Sequence, residues 1–145
     1  MNSAEQQAFL AEPHVGVLSV ASEGERPPLT VPLWYAYTPG GDLTFFTGTQ
    51  GRRARKDALI ERAGRVSLCA QREAFPYKYV TIEGTVIDAA RPPAAEAMLA
   101  IVRRYLPEEQ AQGFVGAELA NPSTTLVLYT IRPDRWLAAD FSEAE

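Results

Sequence analysis

The chain has 145 residues and a mass of 15.9 kDa, which suits a single domain spanning 1–145 with a real core. Its 46% apolar and 22% charged residues are ordinary for a globular protein, and a net charge of −4 argues against a general nucleic-acid or membrane binder. One cysteine, Cys69, and one histidine, His14, exclude a disulfide framework, a Cys-rich zinc site and a His-cluster metal site, and make a Ser-His-Asp triad improbable. No metal site is therefore expected. No apolar run approaches the roughly 18 residues of a membrane span, and the start MNSAEQQAFLAEP has no signal-peptide pattern, so a cytoplasmic location is expected. What remains is chemistry carried by a cofactor, or a binding module.

Ser3 to Ala11 is predicted as a short helix with a Ser3–Gln6 capping box, ended by Pro13, so that residues 1–12 form an N-terminal helix. His14 to Ala21 is a short β-branched run, a buried strand. Glu23-Gly24-Glu25 with Pro27 and Pro28 is a turn. Leu29 to Tyr37 is a second strand, at an edge or bulge because Pro32 donates no ladder hydrogen bond. Pro39 to Asp42 turns the chain into a third strand, Leu43 to Thr47, paired antiparallel with the second. Gly48 to Gly51 is a loop, and Arg52 to Ala63 a helix stopped by Gly64. Arg65 to Gln71 and Tyr77 to Asp88 are strands, the latter with a bulge or bend at Gly84. Two helices, Pro93 to Tyr105 and Pro107 to Leu119, make a helical insertion over 93–119 before the last strand, Thr124 to Arg132. Short turns between strands favour antiparallel pairing. Strands apolar on both faces must be covered on both, by closure, helices or another subunit. A small antiparallel barrel flanked by helices, α+β in class, follows.

Three groups of residues could carry chemistry. Arg52, Arg53, Arg55, Lys56, Arg62 and Arg65 are six of the fourteen cations, opposed locally only by Asp57 and Glu61. They follow the small, hydroxyl-bearing loop Thr47-Gly48-Thr49-Gln50-Gly51. Backbone N–H groups at a helix start attract an anion, with ~0.3–1 kcal/mol from the dipole, and arginine adds bidentate bonds. A solvated, ion-paired helix face is the alternative. Thr30 to Tyr35, with a mid-strand proline and two aromatics, could offer a flat surface to a planar ring, or Trp34 and Tyr35 could be core. Tyr77-Lys78-Tyr79 could line a pocket, or protect a sheet edge. His14 reads as a strand-end residue and Cys69 as an inert buried thiol.

Three segments together carry a resemblance: VGVLSVASEGERPPLTVPLWYAY, then LTFFTGTQGRRARKDALIERAGRVSLCAQ, then YVTIEGTVID. Over residues 10 to 90 the chain resembles the flavin-binding split-barrel superfamily, the pyridoxamine 5′-phosphate oxidase-like proteins, and within it the flavin/deazaflavin oxidoreductase branch. The resemblance implies a six-stranded antiparallel split barrel and a homodimer with cofactor clefts between subunits. It implies that Thr47, Gly48 and Thr49 lie beside the cofactor phosphate and that Arg52, Arg53 and Arg55 are its basic ligands. The family often has lysine where Arg53 stands. Thr30, Val31, Pro32, Leu33 and Trp34 match the strand along the tricyclic ring, and Gln71 a strand end near it.

The tail RPDRWLAADFSEAE departs from pyridoxamine-phosphate oxidase itself: Arg132 and Arg135 stand there, without histidine, so vitamin B6 oxidation is not expected. The implied activity is hydride transfer between bound FMN or the deazaflavin F420 and a small organic substrate, with the protein supplying binding and orientation. The basic run suits the polyglutamyl tail of F420, which is slightly preferred over FMN. Tyr79 is a candidate proton donor. A non-catalytic flavin- or haem-binding protein on the same fold is the alternative, and neither nucleic acid nor membrane is an expected partner.

Overall fold

A computed structural model describes residues 1–50 and 55–142. Helix α1 (Ser3–Ala11) leads into β1 (Gly16–Val20), β2 (Leu29–Leu33), β3 (Ala36–Tyr37) and β4 (Leu43–Gln50). Then come α2 (Arg55–Ala63), β5 (Arg65–Arg72), β6 (Lys78–Ala90), α3 (Ala95–Val102), α4 (Glu108–Ala120) and β7 (Thr124–Asp140). All pairings are antiparallel, in one sheet of order β2-β1-β5-β6-β7-β4-β3.

The sheet's two edges, β2 and β3, are consecutive in the chain and separated only by Trp34 and Tyr35. At 3.8 Å per Cα step, so short a crossing forces the edges together, and the sheet curls into a split barrel. This is why seven strands stand where six were expected: the stretch Leu29 to Tyr37 leaves one edge and joins the other. Pro32 lies on an edge strand, as its missing N–H requires.

The inner face alternates as a barrel must. Leu18 and Val20, Leu43 and Phe45, Val66 and Leu68, Val80 and Ile82, and Val127, Tyr129 and Ile131 form one buried cluster. Helix α1 adds Phe9 and Leu10 to it, and α2 adds Leu59 and Ile60. The helical insertion forms a second cluster on the outer face of β4 and β7, where Met98, Leu99, Val102, Ala111 and Val115 meet Leu126.

Several boundaries differ from those expected. The α1 capping box is Asn2 with Glu5, not Ser3 with Gln6: Asn2 Oδ1 accepts from Glu5 N at 2.8 Å, and Asn2 N donates to Glu5 Oε1 at 3.0 Å. Asparagine caps as well as serine, and a carboxylate suits the helix dipole better than an amide. The expected loop from Gly48 is instead strand as far as Gln50, because β7 stays in register to Gln50↔Thr124. Gly48 fits there by close approach: a Cβ would stand 3.2 Å from Leu126 and 3.3 Å from Thr124. The last strand does not stop at Arg132 but runs to Asp140. The bulge expected at Gly84 is present, with a register shift between Glu83 and Gly84 that sets Pro133 opposite Gly84. Helix α3 is shorter than Pro93 to Tyr105, and the start of the helix expected from Arg52 lies outside the described residues. No helix among the described residues is long and apolar enough to cross a membrane.

Candidate functional site

The crossing at Trp34–Tyr35 leaves two strand edges open. β2 pairs only with β1, and β3 covers β4 only at Leu43 and Thr44. Along Leu29–Leu33 on one lip and Phe45–Gln50 on the other, the side turned away from β1 and β7 respectively has no ladder partner among the described residues. Unpaired N–H and C=O groups beside a cleft are ready hydrogen-bonding groups for a ligand. Two of the segments singled out in the sequence, Thr30 to Leu33 and Thr47 to Thr49, therefore lie on the two strands whose edges are open at the split.

Their side chains divide between faces. Thr30 and Pro32 are exposed on the outer face, while Leu29, Val31 and Leu33 pack against the core. Trp34 turns toward the helical insertion: its ring stacks on Tyr105 at 4.9 Å and meets Phe114 at 5.8 Å. The helices thus brace β4 and β7 and also cover the indole at the split. Tyr35 is fully buried and its hydroxyl donates to Leu10 O at 2.6 Å. Burial holds that phenol well above its ordinary pKa.

The hydroxyl of Thr47 points inward, not toward the split. It donates to Asp57 Oδ1 at 2.7 Å, and the Tyr129 hydroxyl donates to the same oxygen at 2.9 Å. Asp57 is only 9% exposed. Tyr129 also lies 3.3 Å from Glu61 Oε2, and Glu61 is paired with Arg91. Burial first, and the Asp57 carboxylate next, push the Tyr129 phenol far above its ordinary pKa, so it remains a donor. Thr49 is also buried, its hydroxyl 3.4 Å from Thr125 O. Gly48 alone of the three faces outward, with a Glu118 oxygen 3.5 Å from its notional Cβ.

Among the described residues of the basic run, Arg55 and Arg65 lie in different places. Arg55 donates through Nε and Nη2 to Glu23 at 3.1 and 2.7 Å, and through Nη2 to Ser22 at 2.9 Å. That bond holds the Glu23 carboxyl below its usual range. Arg65 lies instead in a groove of about 790 Å³ on the outer face, beside Ser67, Glu83, Asp134 and Arg135. Arg52 and Arg53 lie outside the described residues. The alternative of an ion-paired helix face applies to Arg55. Asp57 on the first turn of α2 and Glu23 beside Arg55 already supply internal counter-charge.

Gln71 and Tyr79 are not at the lips. They face one another across β5 and β6, with β1 between them and β2. Gln71 accepts from the Tyr77 hydroxyl at 3.0 Å, and Tyr77 contacts Tyr79 at 5.9 Å and stacks on Phe141 at 5.6 Å. Cys69 is half-buried on this outer face rather than in the core. His14 lies two residues before β1 rather than in the strand expected from it, and stacks on Phe9 at 4.3 Å with Nε2 3.1 Å from Phe9 O. Among the described residues no cluster of three or more His, Cys, Asp or Glu could hold a metal.

A sequence profile described as pyridoxamine 5′-phosphate oxidase matches residues 3–138. The chain belongs to that family. No curated protein sequence is significantly similar to it. Among solved structures, an F420 reductase shares 23% identity and a TM-score of 0.70, covering 90% of this chain and 94% of its own. A conserved hypothetical protein of Mycobacterium tuberculosis shares 20% identity at a TM-score of 0.68, covering 97% and 86%. A FAD-binding protein of Mesorhizobium loti shares 20% identity at 0.60, covering 95% and 92%. These likenesses show the fold. The residues at the split are compatible with a flavin-type group: two open strand edges can take its polar edges, and Gly48 on one of them carries no side chain.

Proposed function

We propose that the protein is an oxidoreductase of the pyridoxamine 5′-phosphate oxidase family that uses F420 or FMN and acts as a homodimer on a small organic substrate. The observation that carries the reading is the pair of unpaired strand edges meeting at Trp34–Tyr35 in a chain of this family. The likeness to an F420 reductase and a FAD-binding protein supports a flavin-type cofactor, and the basic run makes F420 our preference. Thr30 to Trp34 would line the ring side. The backbone of Thr47, Gly48 and Thr49, with Arg52 and Arg53, would hold the phosphate, and Arg55 would anchor α2 beside it. Bound there, the cofactor would supply hydride transfer to or from the substrate. Gln71 and Tyr79 would reach a cofactor seated between two subunits, with Tyr79 or solvent handling the proton.

The uncovered outer face supports the dimer. Val17, Pro32, Cys69, Thr81 and Leu137 stand in one row across β2, β1, β5, β6 and β7, and no described helix packs over them. Leu137 is 46% exposed and Val15 53%. A second copy of the chain would cover this face. Leu137→Arg is expected to leave a folded monomer, read by analytical ultracentrifugation, with cofactor affinity lost in parallel. A dimer that persists would remove this face from the interface.

The test of the function is a fluorescence titration of cofactor-free protein with FMN and F420 in parallel, followed by stopped-flow oxidation of the reduced complex by small acceptors. Saturable micromolar or tighter binding of one cofactor, and its reoxidation by an acceptor, is expected. Binding without turnover would favour a carrier or sensor. Binding of neither would remove the cofactor reading.

A further inference from the structure

We propose that Asp57 is a positioning residue for the phosphate end of the cofactor, acting through Thr47 and Tyr129; the inference rests on the function proposed above. Asp57 is a carboxylate on the first turn of α2, 9% exposed, with two hydroxyl donors and no ion-pair partner among the described residues. Desolvating a charge is costly, and apolar groups of similar volume would pack at this place without that cost. What the arrangement adds is direction. A carboxylate bonded from two strands fixes a helix in rotation and translation, which apolar packing does less sharply.

The two strands are the ones that matter for the split. Thr47 belongs to β4, whose far edge is the open lip, and Tyr129 to β7, the strand that pairs with β4 on its closed side. Phe45 and Tyr129 face each other in register, two residues before Thr47. Asp57 thus ties the first turn of α2 to the lip and to its support at once. Glu61, on the same helix, is paired with Arg91, so the Tyr129 hydroxyl is left for Asp57, the nearer acceptor. A second clasp, Arg55 on Ser22 and Glu23, holds the same turn from the side of β2. Between them the two clasps set the distance between Gly48 and Thr49 on one side and the start of α2 on the other. The Thr47 hydroxyl, spent on Asp57, orients this end of the site without touching the cofactor.

The experiment compares affinities for cofactors with and without the phosphate: FMN against riboflavin, and F420 against its phosphate-free deazaflavin nucleoside. A general loss of stability lowers both members of a pair, whereas a displaced phosphate end lowers only the phosphorylated one. Thr47→Val and Asp57→Ala are expected to reduce the phosphate preference by about tenfold, the scale of one hydrogen bond to a charged group. Asp57→Asn keeps an acceptor oxygen for both hydroxyls and is expected to keep the preference. If Thr47→Val and Asp57→Ala keep the wild-type preference, or Asp57→Asn loses as much as Asp57→Ala, Asp57 does not act by position and the inference is overturned. Should Asp57→Ala fail to fold, Thr47→Val and Tyr129→Phe decide the matter. A wild-type protein that binds none of the four overturns the functional reading and this inference with it, whereas one that binds them without preferring the phosphorylated forms overturns this inference alone.

Discussion

Gly84→Ala is expected to lower the stability of the protein by about 2–3 kcal/mol, with the fold retained. An added Cβ would stand 2.5 Å from Ile131 Cγ2 and 2.7 Å from the carbonyl oxygen of Arg132. Ile131 is fully buried in the barrel core, and the carbonyl belongs to backbone, so neither can step aside cheaply. The glycine sits where the register of β6 against β7 shifts, opposite Pro133. Residues 78–83 then continue to pair with 135–140, so the close approach at Gly84 supports the whole second half of the longest strand pair. Alanine would recover some stability by restricting the unfolded chain, about 0.4–1 kcal/mol, which the overpacking outweighs. Thermal unfolding should show a midpoint lower by roughly 5–10 °C for a chain of this size. Gly113, in α4, is the control: nothing stands within 4 Å of its notional Cβ. Gly113→Ala should raise stability by about 0.5–1 kcal/mol. Equal midpoints for the two variants would mean that the bulge repacks around a methyl group.

The elements most visible in the sequence were those whose reasons are local. Turn residues, periodicity and proline placed all four helices and most strands within a few residues. Gly84 announced its bulge, and Pro32 its edge. What escaped depended on partners distant in sequence. Leu29 to Tyr37 is continuous in β-forming composition, and only the ring closure of the sheet explains why it divides at Trp34. Gly48 reads locally as a loop residue, but eight consecutive pairs with β7 hold it in a strand. The last strand was expected to end at Arg132, yet the bulge opposite Pro133 lets β7 continue. The same contrast holds for the site. The two segments flanking the split were legible because strand ends and small residues mark them. The inward turn of Thr47 was not, although a threonine and a tyrosine on inward positions of strands both need a hydrogen-bond partner. Asp57 was visible only as a charge opposing arginines, and nothing local told that it is buried. The division of the basic run into Arg55 on the β1–β2 turn and Arg65 on the outer face is likewise a tertiary fact.

That division sharpens what the remaining cations must do. Arg55 is committed to Glu23 and Ser22, and the first turn of α2 already carries the buried negative charge of Asp57. A phosphate at this end of the split would then draw its counter-charge from Arg52 and Arg53. The double variant Arg52→Ala/Arg53→Ala is expected to weaken FMN and F420 binding by about 100-fold or more, since each charge-assisted bond contributes about 1.5–3 kcal/mol. Riboflavin, which has no phosphate, should bind the variant as it binds the wild type. The salt dependence of FMN affinity should flatten, because fewer ions are displaced when fewer charges meet. Arg55→Ala should behave differently. It leaves Glu23 with Arg26 as its remaining ion-pair partner and loosens the β1–β2 turn, so thermal stability should fall modestly, and FMN affinity should fall less than in the double variant. Isothermal titration at two salt concentrations, alongside thermal melts, separates these patterns. If the double variant binds FMN as tightly as the wild type, the phosphate does not lie at the β4–α2 end. The groove beside Arg65 and Arg135 then becomes the site to test, with Arg65→Ala/Arg135→Ala as the variant that should lose phosphate preference instead.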